Sequence, residues 1–167
     1  DLRAINQEGV RIAREAFGGR EGYVLGDLGP LGAILEPYGD MPQADAFDAY
    51  KEQATALVDG GADAIIIETQ VALDELGLAI EAAKKAGASC IIASLAYEAP
   101  PSGDDMRTIM GVTPEQAALV IRDAGAHVAA LNCGKGIDMD LAAQIIRRRA
   151  LVFVVSAKSE AALRGQA

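Results

Sequence analysis

Three times along this chain a Gly-Ala pair closes an amphipathic stretch and opens an apolar one. Gly61-Ala62 precedes "DAIIIET" (63–69), Gly87-Ala88 precedes "CIIASLAY" (90–97), and Gly125-Ala126 precedes "HVAAL" (127–131). Glycine just past a helical stripe is the residue that most readily ends a helix. Uncharged, β-branched runs are what strands buried on both faces look like. The rhythm therefore predicts βα units and a parallel sheet covered by helices. It is a recurrence of supersecondary order, with no tandem repeat of sequence beneath it.

Between the joints the helical stripes can be read directly. Ile5, Gly9, Ile12 and Ala16 fall on one face of the first segment, with Arg3, Gln7, Arg11 and Arg14 elsewhere. Phe47, Tyr50, Ala54 and Leu57 form the next stripe, stopped by Gly60-Gly61, and Leu73, Leu76, Ile80 and Ala83 the one after. "TPEQ" (113–116) predicts a helix start, with Thr113 as cap, Pro114 in the first turn and Gln116 reaching back. "YVLG" (23–26) and "LVFVV" (151–155) complete about five strands, and a further helix is expected over 138–149. The loop 97–112, with its Pro100-Pro101 and Asp104-Asp105 pairs, reads as an insertion at a strand's C-terminal end. Residues 1–167 are expected to form one domain.

Composition removes several classes of partner. Lys plus Arg number 15 against 24 Asp plus Glu, and aromatics make up 4% with no Trp. Neither the basic footprint nor the stacking surface of a nucleic-acid binder is present. No apolar run approaches the roughly 20 residues that cross a bilayer, so no membrane span is expected. The two cysteines, Cys90 and Cys133, stand far apart without a small secreted framework. A reduced, cytoplasmic setting suits them.

In parallel α/β folds, ligands bind beyond the C-terminal ends of the strands. Those ends here carry Asp27, Glu68-Thr69, Ser94 and Asn132-Cys133. Length favours an open doubly wound sheet, since a closed eight-stranded barrel takes about 250 residues. The polar strand ends favour the barrel, and "GDLGPLG" (26–32) lacks the glycine spacing of a dinucleotide site. Glu68 follows "AIII" and needs a partner: a helix terminus, a structural cation or a ligand ammonium. Cys133 alone reads first as a small core residue and only second as a single metal ligand. Cys90 and His127 begin strands and are assigned to packing, and Lys135 and Asp104-Asp105 to solvated loops. The Arg147–Arg149 run suits a helix C-terminus.

Taken together, "INQEGVRIAREA" (5–16), "GDLGPLGAILEPYGD" (26–40), "YKEQATALVDGGADAIIIET" (50–69), "RTIMGVTPEQA" (107–117) and "ALNCGKG" (130–136) resemble the homocysteine S-methyltransferase family. The resemblance implies a (β/α)8 TIM-barrel-like fold, of which about five βα units are visible as an incomplete barrel. It implies one zinc held by three cysteines, the first matched by Cys133 and the other two belonging to a Gly-Gly-Cys-Cys segment this sequence lacks. It places Glu68 and Thr69 at the homocysteine site, the glutamate facing the substrate ammonium, with Asp27, Ser94 and Asn132 expected on the walls of the same pocket. The methyl donor is a small molecule or a corrinoid. The opening strands and the family's Asn-Ala-Gly strand end are also missing, and an incomplete barrel leaves edges that invite a homo-oligomer. Two rival expectations are a non-catalytic barrel fragment and an aldolase-like lyase. The second lacks a strand-end lysine, since Lys135 and Lys158 lie beyond theirs.

Overall fold

The computed structural model describes residues 1–99 and 106–134. Within them the order is α1 (Leu2–Glu15), β1 (Leu25–Leu28), α2 (Gln43–Asp59), β2 (Ala64–Gln70), α3 (Leu73–Lys85), β3 (Ile91–Leu95), α4 (Pro114–Ala124) and β4 (Val128–Leu131). The four strands form one sheet in the order β1-β2-β3-β4, every neighbouring pair parallel. The helices pack in the same succession, α1 on α2, α2 on α3 and α3 on α4. A doubly wound sheet reverses its strand order at a switch point. Here order follows the chain, as in part of a (β/α) barrel. The expected helix over 138–149, the strand 151–155, Lys135, Lys158, Arg147–Arg149 and Asp104-Asp105 lie outside the described residues.

The three Gly-Ala joints share one construction. Gly61, Gly87 and Gly125 have φ of 90°, 86° and 83°, the left-handed region that penalises a Cβ. Each glycine N–H bonds back to the carbonyl of Val58, Lys84 or Arg122, and each following alanine N–H to that of Leu57, Ala83 or Ile121. These paired bonds satisfy the last helical carbonyls and turn the chain toward its next strand. At α4's other end the expected capping box is present: Thr113 Oγ1 accepts from Gln116 N and Gln116 Oε1 from Thr113 N.

Two expectations need correction. β1 does not stop at Gly26 but runs through it to Leu28. A Cβ at Gly26 would meet Leu57 Cβ and Ile65 Cδ1, both at 2.9 Å, so this glycine admits α2 against the sheet. Asp27 therefore lies inside the strand. On α1 the stripe of Ile5 and Ile12 faces outward, 71% and 54% exposed, while Val10 is the buried residue. The inward face holds Val10 with Arg3 and Arg14, which pair with Asp59 and Asp63, both at 2.7–2.8 Å. Among the described residues α1 packs on α2, and the face it turns there carries the two arginines that reach Asp59 and Asp63. Elsewhere the stripes are as expected: Tyr50, Ala54 and Leu57 on α2, and Leu76, Ile80 and Ala83 on α3, are all buried.

Candidate functional site

Register sorts the strand residues into two faces. Leu28, Ile65, Ile67, Ile91, Ala93 and Leu95 alternate toward the helices and are fully buried. Asp27, Ile66, Ile92 and Val128 form one row across the sheet, and Ser94 pairs with Ala130 one step further on. These belong to the other face, because successive side chains of a strand point to opposite sides. Two residues along their strands from Ile66 and Ala130, Glu68 and Asn132 continue that face at the C-terminal edge.

β2 breaks the alternation at this point. Ile67 pairs with Ala93 and Gln70 with Leu95, so β2 holds one residue more than β3 over the same span. This bulge lies at Glu68-Thr69, where Thr69 has φ 58°. Positive φ is costly for a β-branched residue. The extra residue sends Glu68 and Thr69 toward the same neighbour and returns Gln70 to the helix side.

That neighbour is Asn132, 4% exposed. Its Oδ1 accepts from Thr69 N at 3.0 Å and Ser94 Oγ at 2.8 Å. Its Nδ2 donates to Glu68 Oε2 at 2.9 Å and Thr69 Oγ1 at 2.8 Å, with Cys133 Sγ at 3.5 Å. The amide cannot be reversed without turning its oxygen on the Glu68 carboxylate. Thr69 Oγ1 in turn donates to Cys133 Sγ at 3.7 Å, so two donors are aimed at the sulfur. Cys133 also has positive φ, 54°, and its side chain is free and exposed. One amide thus joins strand ends of β2, β3 and β4.

The remaining sequence-level candidates fall elsewhere. Cys90 sits before β3 at the opposite edge, where its carbonyl accepts from Ile65 N. His127 Nδ1 accepts from Ile91 N at 3.0 Å, a structural bond at that same edge. Among the described residues no group of three His, Cys, Asp or Glu side chains is gathered as a metal site. The bulge was missed in the sequence, as was the buried set Gln70, Tyr50 and Glu75 behind it. A glutamine directly after the strand-end Glu-Thr pair was the available signal.

Asp27 keeps solvent contact, yet partial burial and then the charge of Glu68 push its carboxyl from 3.8 up to about 6. Folding therefore disfavours its ionisation. Its contribution makes stability fall as pH rises from the unfolded value near 4 through 6, and level off above. Asp27→Asn in the intact protein should gain thermal stability relative to wild type between pH 4 and pH 7. An offset in melting temperature that is equal at both pH values would contradict this.

The sequence matches the family profile described as homocysteine S-methyltransferase over residues 1–166. The chain belongs to the homocysteine S-methyltransferase family. A methionine synthase of Mycobacterium tuberculosis is 33% identical over 142 residues, covering 81% of this chain and 12% of that protein. A methionine synthase of Mycobacterium leprae is 36% identical over 90 residues, 51% of this chain and 7% of that one. The chain thus spans about an eighth of the Mycobacterium tuberculosis protein and less of the Mycobacterium leprae one. Among solved structures, the apo homocysteine methyltransferase MmuM of Escherichia coli superposes with a TM-score of 0.70 at 19% identity, covering 93% of this chain and 61% of that one. A pyruvate carboxylase variant of Rhizobium etli gives 0.58 at 15% identity, covering 92% and 15%. Two such different proteins share the architecture, so the structural likeness carries the fold alone. With it, the four strands and four helices of this homocysteine S-methyltransferase family member are part of a TIM-barrel-like domain.

Proposed function

We propose that the protein transfers a methyl group to the thiol of homocysteine, forming methionine. The observation that carries this reading is the single amide of Asn132 touching both the Glu68 carboxylate and the Cys133 sulfur. Homocysteine carries an ammonium, a carboxylate and a thiol, and the cluster offers a counterpart to the ammonium and the thiol within one side chain's reach. Glu68 receives the ammonium as a charge-assisted acceptor, held in place by Asn132. Thr69 and Ser94 keep Asn132 oriented, and Asp27 adds a second carboxyl on the same face.

Cys133 is the residue here that fits a zinc: an exposed soft ligand facing the site, with two hydrogen-bond donors on its sulfur. It fills one position; the two companion thiolates of the family's three-cysteine site are not in this sequence, whose other cysteine, Cys90, lies just before β3 at the opposite edge. When bound, zinc supplies Lewis acidity that holds the substrate thiol as its thiolate. The chain's own residues then fix the amino-acid end so that the sulfur meets the methyl donor, a small molecule or a corrinoid. Among the described residues no helix is long and apolar enough to cross a membrane. The reading puts the work in the reducing cytoplasm, and β1 and β4, the end strands of the sheet among the described residues, suit a homo-oligomer.

Glu68→Gln tests the ammonium assignment. The amide oxygen still accepts from Asn132, so the fold is kept, while the charge is lost. In the intact enzyme KM for homocysteine should rise about 10–100-fold, the worth of one charged hydrogen bond. An unchanged KM would remove Glu68 from the substrate site.

A further inference from the structure

We propose that Gln70, Tyr50 and Glu75 form a positioning relay that holds the β2 bulge and the loop after β1 in the geometry the site requires. All three lie on the helix side of the sheet, 0%, 1% and 6% exposed, and among the described residues their side-chain hydrogen bonds stay on that side. Gln70 Nε2 donates to Tyr50 OH at 3.3 Å. Tyr50 OH directs its hydrogen at Glu75 Oε1 at 2.7 Å, with the Gly29 carbonyl at 3.3 Å. The same Glu75 oxygen accepts from Leu31 N at 2.8 Å. The chain of bonds thus runs from the residue after Thr69, through α2 and α3, to the loop two residues beyond Asp27.

Gln70 is not placed there to stabilise the core. Its Oε1 is buried and has no partner among the described residues, an arrangement an apolar side chain of equal size would improve. What the amide does supply is a tether immediately behind Thr69, whose φ of 58° persists only while its surroundings over-determine it. Asn132 grips Thr69 from the site side, and Gln70, the next residue, is held from the core side by Tyr50. The relay therefore sets where Glu68 and Thr69 stand, touching neither substrate nor donor.

The kinetic part of the test rests on the homocysteine reading; the structural part does not. Gln70→Met keeps the volume and removes the amide. In the intact enzyme its melting temperature should hold or rise, while KM for homocysteine increases about tenfold and kcat changes little, as expected of a displaced binding group. Hydrogen exchange across residues 66–72 should quicken. Tyr50→Phe should reproduce both effects, and the double variant should be no worse than the stronger single one, because one chain of bonds is cut in either place. Unchanged exchange and unchanged KM in both single variants, whatever the melting temperatures, would overturn the relay. Should the wild type fail to use homocysteine at all, the functional proposal falls while exchange still decides the relay.

Discussion

Cys133→Ala in the intact protein is expected to release about one zinc per chain and to lower methyl transfer by about three orders of magnitude. The zinc count follows from a three-thiolate site that keeps its fourth position for substrate. The rate loss corresponds to the several kcal/mol that a bound Lewis acid contributes at a reacting centre. The substitution is a clean one. The side chain is exposed, so no cavity is made, and alanine meets the same penalty at φ 54° as cysteine does. Elemental analysis of wild type and variant decides the matter: equal zinc in both would leave Cys133 a packing residue, and full activity without zinc would sink the mechanism.

Asn132→Ala is expected to destabilise the intact protein by ~3 kcal/mol, since it orphans the hydroxyl of Ser94 and the main-chain N–H of Thr69, each costing about 1–3 kcal/mol when left unpaired. Ser94 is 1% exposed, and water cannot readily replace the lost acceptor. Asn132→Asp separates the two halves of the amide. It keeps an acceptor for Ser94 and Thr69 but sets a carboxylate against Glu68, so it should retain more of the fold and still lose homocysteine binding. Denaturant unfolding with an unchanged slope and a lowered midpoint reads the first effect. A loss below ~1 kcal/mol for Asn132→Ala would mean that the cluster is a loose surface arrangement.

The sheet was legible because its signals are local. Runs such as "AIII" and glycines at fixed helix ends report burial and chain reversal without reference to anything distant. The outward turn of Ile5 and Ile12 was not, because periodicity shows which face is apolar and says nothing of what stands beside it. Arg3 and Arg14 found Asp59 and Asp63, contacts of long sequence separation that no pattern encodes. The site was half visible. Glu68, Ser94 and Asn132 announced themselves as polar strand ends, but a bulge centred on a threonine carries no signature, since β-branched residues ordinarily favour regular strands. Gln70 and Glu75 drew no attention in the sequence, because a glutamine after a strand and an acid in a helix's first turn are ordinary there.

The three left-handed joints divide the labour between the two rims of the sheet. Each launches its strand by the same pair of backbone bonds, so Ala64, Ile91 and Val128 all begin within a few residues of their glycines. That rim behaves like a common baseline, indifferent to side chains. Whatever distinguishes one strand from the next, including the longer reach of β2, accumulates at the far rim. A residue gained or lost there alters the chemistry on offer and leaves the foundation of every strand where it was.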